Sequence, residues 1–251
     1  LLVTFIIGPR IIRWLEKMQL TETIREDTPD AHQRKKGTPT MGGIIVLYAV
    51  IVPVLLFARL DNHYIQLMIG ATLWMGAVGF LDDYLKVVKK YPKGLVGRYK
   101  LIGQVLLGLV VGTVVTFSSK YTQVQLGDTQ LDVHWHTSLP FFKNLLVNFG
   151  WFYIPMVIVV ITGTSNAVNL TDGLDGLAIG LVGVAALAWG GMSYVTGRVD
   201  FSGFLQVLYL PGAGELTVFC AALLGASLGF LWFNSHPATV FMGDTGALAL
   251  G

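Results

Sequence analysis

The feature that most constrains this chain is a set of long apolar runs that carry no charged side chain. Residues 151–168 form one such run, and residues 176–197 form another. An α-helix needs about 20 apolar residues to cross a bilayer, whereas a membrane β-barrel shows short alternating segments. Only 13% of the residues are charged, compared with about 25% in a typical soluble domain. The sequence therefore predicts an all-α fold, a polytopic transmembrane helical bundle.

The apolar runs predict about eight membrane helices in this chain. They cover residues 1–14, 41–58, 65–81, 101–119, 149–168, 177–196 and 216–233, and a last helix begins near Asp244. Alternation in 124–133 predicts a small β-hairpin, and 197–215 is predicted to be a loop. We expect residues 1–251 to be a single integral membrane domain, truncated at both ends because the chain starts and stops inside apolar segments.

The basic residues predict which side of the membrane each connection faces. With alternating helices, segments 10–36, 84–100, 169–177 and 234–243 share one side, and the first two hold most of the 17 lysines and arginines. The opposite side has Arg59, Lys120, Lys143 and Arg198. The positive-inside rule therefore makes the first side cytoplasmic.

Acidic residues gather at predicted helix ends on this cytoplasmic side. They are Asp82, Asp83, Asp172, Asp175 and Asp244, with Asn169 and Asn234 beside them. Magnesium prefers carboxylate oxygens, usually one or two from the protein, so this pattern predicts a magnesium site at the membrane surface. Each carboxylate also has a structural alternative. Asp172 or Asp244 would cap a helix, Asp175 would lie in a first helical turn, and Asp82 or Asp83 would pair with Lys86.

Basic side chains on the same side supply the complementary charge. They are Lys35, Lys36, Lys86, Arg98 and Lys100. Carboxylates, a divalent cation and nearby ammonium or guanidinium groups together favour phosphate transfer. For Lys89, Lys90 and Lys93 we prefer the alternative of a solvated basic face. We interpret His32 and His236 as polar interface residues, and His134 and His136 as features of a loop on the far side.

Six sequence motifs run across nearly the whole chain in one order. They occupy residues 25–32, 36–43 (Lys-Gly-Thr-Pro-Thr-Met-Gly-Gly), 79–84 (Gly-Phe-Leu-Asp-Asp-Tyr), 97–100, 169–177 and 241–246 (Phe-Met-Gly-Asp-Thr-Gly). Together they resemble the phospho-N-acetylmuramoyl-pentapeptide transferase family of polyprenyl-phosphate sugar-1-phosphate transferases. The 36–43 motif is more similar to this family than to its relatives that transfer N-acetylglucosamine phosphate.

The resemblance implies a multi-pass enzyme of the bacterial cytoplasmic (inner) membrane with about ten helices. Its implied reaction moves phospho-N-acetylmuramoyl-pentapeptide from UDP to undecaprenyl phosphate, giving lipid I and UMP for peptidoglycan synthesis. The implied cofactor is Mg²⁺, held in a cleft on the cytoplasmic face. A homodimer is also implied, and we expect no nucleic-acid partner.

The resemblance also implies roles for individual residues. Asp244 is the implied principal Mg²⁺ ligand, with Asp82 and Asp83 as further ligands. The same three aspartates are implied to be catalytic, and one of the Asp82–Asp83 pair is a candidate base. Lys100 is also implied to be catalytic. The implied substrate contacts are Lys36, Thr40, Lys86, Lys100, Asn169, Asp172, Asp175, Asn234 and Phe241. The family's His-rich cytoplasmic loop is not in this sequence, so we expect this chain alone to lack part of the site.

Two other functions remain open on the sequence. One is a related transferase of UDP-N-acetylhexosamine to a polyprenyl phosphate. The other is an ion-coupled transporter, which would place acidic residues near the middle of its helices. The sequence also leaves open whether transfer is direct or passes through a covalent aspartyl intermediate.

Overall fold

The computed structural model describes residues 1–18, 38–91, 94–118, 123–126, 129–132, 135–139 and 142–251. The helices in these ranges are α1 (Leu2–Lys17), α2 (Gly43–Phe57), α3 (His63–Val87), α4 (Gly97–Phe117), α5 (Tyr153–Thr171), α6 (Leu177–Thr196), α7 (Val199–Leu205), α8 (Leu216–Asn234) and α9 (Gly243–Leu250). Short 3₁₀ turns, Gly150–Phe152 and Ala213–Glu215, precede α5 and α8. Of the described helices, α3, α4, α5, α6 and α8 are long and apolar enough to cross a membrane. The predicted polytopic helical bundle is confirmed.

Helix α3 differs most from its predicted extent. The sequence predicted an end at residue 81, but the helix continues to Val87 and includes Asp82 and Asp83. Both carboxylates are buried inside the bundle, with 0% and 3% of their surface exposed. The helix continues because these side chains meet partners in the protein, so they do not need to turn out into water.

Two antiparallel hairpins lie between α4 and α5. In the first, β1 (Gln123–Leu126) pairs with β2 (Thr129–Asp132), which confirms the predicted hairpin. The second, β3 (His136–Leu139) with β4 (Phe142–Asn148), was not predicted, and neither was α7 inside the predicted 197–215 loop. The Trp135 ring packs between those of Phe117 and Trp151, which holds the second hairpin beside the ends of α4 and α5.

The main apolar core lies where α8 packs against α6, α2 and α1. Phe230 of α8, Ile45 of α2 and Leu15 of α1 are fully buried there. These contacts fix α8, whose C-terminal end leads into α9, and α2, whose start is hydrogen-bonded to the segment before α9.

The short helix α9 sits among α3, α5 and α2. Its residues Thr245, Gly246, Ala247 and Leu248 are buried. Two glycines permit this close approach, because a Cβ on Gly43 would overlap the backbone of Gly246, and one on Gly79 would overlap the carbonyl of Asp244. Small residues at helix contacts are the usual way for membrane helices to bring their backbones together. The position of α9 is thus set by backbone contact.

Candidate active site

Four helix ends meet at one end of the bundle and carry the candidate site. They are the C-terminal turns of α3 and α5 and the N-terminal turns of α4 and α9. The segment before α9 is fixed to the start of α2 by two backbone hydrogen bonds. The Gly42 N–H donates to the Phe241 carbonyl over 2.8 Å, and the Gly43 N–H to the Met242 carbonyl over 2.7 Å.

Three of the five predicted aspartates form a cluster at this end. Asp82, Asp83 and Asp244 each place one carboxylate oxygen within 4.8 Å of the other two. Asp82 and Asp83 come from the last turns of α3, and Asp244 from the first turn of α9. We call Asp82, Asp83 and Asp244 the acidic cluster.

Two lysines bridge the acidic cluster. The Lys86 Nζ lies 2.6 Å from Asp82 Oδ2 and 3.3 Å from Asp244 Oδ2. The Lys100 Nζ lies 3.0 Å from Asp82 Oδ2 and also pairs with Asp244 Oδ2. The Asp82–Lys86 pair that the sequence offered as an alternative therefore forms within the cluster.

The environment of Asp244 favours its ionised form. Burial acts to raise the pKa of this carboxyl, but a hydrogen bond with Asp82, followed by the interactions with Lys86 and Lys100, lowers the pKa by more. The net pKa of Asp244 is below its ordinary value. Asp244 is therefore a carboxylate at neutral pH and keeps its charge for a cation.

Asp83 caps the N-terminus of α9 from a different helix. Its Oδ1 accepts a hydrogen bond from the Asp244 N–H over 3.1 Å. Its Oδ2 accepts from the Thr245 N–H over 2.9 Å and from the Thr245 hydroxyl over 2.6 Å. An N-cap side chain normally satisfies these same first-turn donors from within its own chain segment. The interpretation of Asp244 as a plain N-cap is wrong, because Met242 occupies that position and Asp83 supplies the capping oxygens.

Replacing Asp83 by Asn is expected to lower the free energy of unfolding by about 2 kcal/mol, because a buried amide N–H₂ would face donors of α9. Thermal unfolding in detergent measures the loss. The same change at Asp61, whose side chain is 72% exposed, is the control and should leave the melting temperature unchanged. Equal melting of the two variants would show that the cap contributes nothing to stability.

Asp82 attaches the connection between α3 and α4 to the site. Its Oδ1 accepts a hydrogen bond from the Leu95 N–H over 2.7 Å. Gly94 precedes this contact with a φ of +56°, and a Cβ there would lie 2.6 Å from Asp82 Oδ1. Glycine is therefore required here for both its backbone conformation and its lack of a side chain. Within the described residues, Asp82 Oδ2 is buried and accepts no hydrogen bond of good geometry.

The 169–177 segment contributes Asn169 to the cluster. The Asn169 Nδ2 donates to Asp244 Oδ1 over 2.9 Å. Asp172 lies one turn later, at the C-cap of α5, so the interpretation of Asp172 as an N-cap is wrong. Helix α6 begins instead after Gly176, which has a φ of +74°.

Asp175 and Asn234 form a second polar group that joins this segment to the 235–240 loop. Asp175 Oδ2 lies 3.1 Å from His236 Nδ1. Asn234 accepts from the Gly176 N–H over 3.0 Å and donates to the Val240 carbonyl over 2.9 Å. Asp175 precedes α6, so the interpretation that placed it in a first helical turn is wrong. His236 is a polar contact residue, as expected.

Comparison with known proteins decides the family. Residues 65–251 match the family model of glycosyl transferase family 4, and residues 35–47 match signature 1 of phospho-N-acetylmuramoyl-pentapeptide-transferase. The chain is 45% identical to the phospho-N-acetylmuramoyl-pentapeptide-transferase of Flavobacterium psychrophilum, over 100% of the chain and 69% of that relative. The chain belongs to the phospho-N-acetylmuramoyl-pentapeptide transferase family. The resemblance drawn from the motifs is confirmed.

Two other transferases of this family are more similar in sequence. The Gemmatimonas aurantiaca protein is 55% identical over 100% of the chain, and the Thermodesulfovibrio yellowstonii protein is 53% identical over 99%. The chain spans 66% of the length of each.

Two more of the predicted substrate contacts, Thr40 and Phe241, lie beside the start of α9. Thr40 is buried, and a Cβ on Gly243 would lie 3.1 Å from its hydroxyl. The Phe241 N–H donates to the Pro39 carbonyl over 2.9 Å, which fixes the segment before α9. Lys36 lies outside the described residues. Sequence reasoning missed Thr245, although it stands inside the 241–246 motif directly after Asp244.

The donor set of the acidic cluster fits Mg²⁺. Magnesium takes oxygen ligands and usually uses one or two carboxylates, leaving the other positions to water and substrate phosphates. Asp82, Asp83 and Asp244 each place one carboxylate oxygen within 4.8 Å of the other two. Asp82 Oδ2 and Asp244 Oδ2 both face ammonium groups, so this point already attracts positive charge. Asp83 is the least available metal ligand of the three, because its oxygens already accept three hydrogen bonds.

Proposed function

We propose that this transferase chain moves phospho-N-acetylmuramoyl-pentapeptide from UDP to undecaprenyl phosphate, forming lipid I and UMP in peptidoglycan synthesis. The observation that carries the proposal is the acidic cluster with Lys86 and Lys100 at one end of a membrane bundle. Family membership supports the same reaction.

The proposed site handles a diphosphate through its charges. Asp244 and Asp82 would hold Mg²⁺, which when bound neutralises the diphosphate and stabilises charge on the leaving UMP. Lys86 and Lys100 are then free to turn from the carboxylates towards phosphate oxygens, where ammonium groups stabilise developing negative charge. Asn169 orients Asp244 through its amide.

The lipid acceptor needs no strong base. A phosphate monoester has a second pKa of about 6, so the acceptor is mostly a dianion at neutral pH. The contacts of Asp83 and Asp82 support positioning roles, because Asp83 accepts three hydrogen bonds and Asp82 faces two ammonium groups. We therefore favour direct in-line attack of the lipid phosphate on the sugar-linked phosphorus. Detection of a phosphorylated Asp82 in a trapped enzyme would refute this route.

The proposed location is the bacterial inner membrane with the site on the cytoplasmic face. The support is that the cluster lies at the helix ends whose connections hold most of the basic residues. We further propose that Lys36, Thr40, Asp172, Asp175, Asn234 and Phe241 contact the nucleotide or sugar. The homodimer implied by the family remains part of the proposal.

The full-length protein is expected to release UMP from UDP-N-acetylmuramoyl-pentapeptide in the presence of undecaprenyl phosphate and Mg²⁺. UDP-N-acetylglucosamine is the matched alternative donor and should give no release above background. Release of UMP is followed by chromatography, and the lipid product by extraction into solvent. A preference for UDP-N-acetylglucosamine would instead identify a related hexosamine-phosphate transferase.

The arrangement of charges does not favour a transporter. An ion relay needs acidic groups near the middle of spanning helices. In the described spans, the acidic residues lie near helix ends: Asp82 and Asp83 in α3, and Glu215 just before α8. If the unmodified protein released no UMP, the transporter would become the better interpretation; if Asp82→Asn and Asp244→Asn left UMP release intact, the acidic cluster would not be the centre of the reaction.

A further inference from the structure

We propose that Gln104, Ser165 and Asn166 are positioning residues. They fix how α4, α5 and α9 are placed along their axes relative to one another, and so keep Lys100 and Asn169 in contact with Asp244. The proposal rests on the function proposed above, since it concerns the same site. We call Gln104, Ser165 and Asn166 the lower polar layer.

The lower polar layer is a chain of hydrogen bonds across three helices. Gln104 Nε2 of α4 lies 3.2 Å from Ser165 Oγ of α5, to which it donates. Ser165 Oγ donates in turn to the Leu248 carbonyl of α9 over 3.1 Å. Asn166 Nδ2 donates to Gln104 Oε1 over 2.9 Å and so fixes the orientation of the amide. Gln104 and Ser165 are each only 1% exposed.

The spacing connects this layer to the site. Gln104 follows Lys100 by four residues, Ser165 precedes Asn169 by four, and Leu248 follows Asp244 by four. Four residues are about one turn of an α-helix, a rise of about 5.4 Å. The same three helices therefore meet twice, at the site through Lys100, Asn169 and Asp244, and again one turn deeper through the lower polar layer.

Two layers of contacts constrain the helices more than one layer can. With contact at the site alone, α4 and α5 could tilt or slide about Asp244, and Lys100 and Asn169 would leave it together. The second set of hydrogen bonds, one turn deeper, removes that freedom. Within the described part of the chain, the members of the lower polar layer make no hydrogen bond to the acidic cluster, so they act on the site through helix position.

The chain offers a matched pair of variants for a test. Ser165→Ala removes the hydroxyl that links Gln104 to Leu248. Ser227→Ala removes a hydroxyl that is equally buried, at 2% exposure, in the spanning helix α8. Among the described residues, the Ser227 hydroxyl has no hydrogen-bond partner. The two changes are chemically identical, and only the first touches the lower polar layer.

The experiment measures the affinity of the full-length protein for Mn²⁺ by electron paramagnetic resonance, together with melting temperature. Residues behind metal ligands typically change metal affinity by about 10- to 100-fold when they are altered. We expect Ser165→Ala and Gln104→Leu each to weaken Mn²⁺ binding by about 10-fold. The double variant should be no weaker than the worse single one, because both break one network. Ser165→Thr, which keeps the hydroxyl, and Ser227→Ala should stay within about twofold of the unmodified protein.

Each other result is decisive. If Ser165→Ala lowers the melting temperature without changing Mn²⁺ affinity, the layer is only structural and the proposal fails. It fails equally if Ser165→Ala matches Ser227→Ala in both measurements, or if the unmodified protein binds no Mn²⁺. UMP release by the unmodified protein is read separately. Its absence alongside the expected Mn²⁺ effects would reject the proposed reaction and leave the positioning layer standing.

Discussion

Asp244→Asn is expected to lower the rate of UMP release by about 1000-fold, the upper end of what one preorganised electrostatic group contributes. Asp244 contacts both lysines of the site and Asn169. It pairs with Lys86 and Lys100 through Oδ2 and accepts from Asn169 through Oδ1. The amide removes the charge that would hold a divalent cation and leaves two ammonium groups facing Asp82. Initial rates at saturating Mg²⁺, with UDP-N-acetylmuramoyl-pentapeptide as donor, measure the effect.

Asp200→Asn is the control for this prediction. Asp200 is exposed, pairs with Arg198, and lies past the far end of α6, at the opposite side of the bundle from the site. The Asp200→Asn protein should release UMP at a rate within about twofold of the unmodified protein, because an exposed ion pair contributes little. An Asp244→Asn protein that remained folded and kept a tenth of the rate would remove Asp244 from the centre of the mechanism.

Gly79→Ala is expected to displace α9 and to impair both stability and activity. The new Cβ would overlap the Asp244 carbonyl oxygen and lie 2.7 Å from Thr245 Cα. Because these atoms belong to the backbone, no side-chain rotation relieves the overlap, and the free energy of unfolding should fall by about 3 kcal/mol. A shift of about 1 Å in Asp244 should also slow transfer by about 100-fold. Unfolding in detergent and UMP release measure the two effects.

Gly70→Ala provides the comparison within the same helix. Among the described residues outside the adjacent turns of its own helix, no heavy atom lies within 4 Å of a Cβ built on Gly70. Alanine is favoured over glycine in a helix by about 1 kcal/mol, so this variant should be as stable as the unmodified protein or slightly more stable. If Gly79→Ala and Gly70→Ala unfold at the same temperature, the close packing of α9 on α3 is not required for stability.

The sequence predicted the helices well wherever an uncharged run alone decides the outcome. Helix α6 has the predicted bounds, Leu177–Thr196. Helix α3 was predicted too short because Asp82 and Asp83 look like the polar end of an apolar run. Their partners Lys86, Lys100 and Thr245 let them remain buried in a continuing helix. The partners that allow these carboxylates to be buried come mostly from other helices, so the charge pattern of the α3 segment alone does not predict where the helix ends.

The chemistry of the site was easier to predict than its construction. Residue type and the shared side of the membrane were enough to group Asp82, Asp83 and Asp244 with Lys86 and Lys100. The cap that Asp83 provides for α9 was not predictable, because it depends on where a helix end docks. Gln104 and Ser165 carried no signal either, since an isolated polar residue in an apolar run does not reveal its partner.

The capping of α9 by Asp83 has a consequence for biogenesis. The donor and acceptor of this contact, the Asp244 N–H and the Asp83 carboxylate, are 161 residues apart in the sequence. While the ribosome is still delivering the intervening helices to the membrane, Asp83 lacks its three hydrogen-bond donors. The candidate site therefore cannot be completed until residue 245 has been translated and inserted.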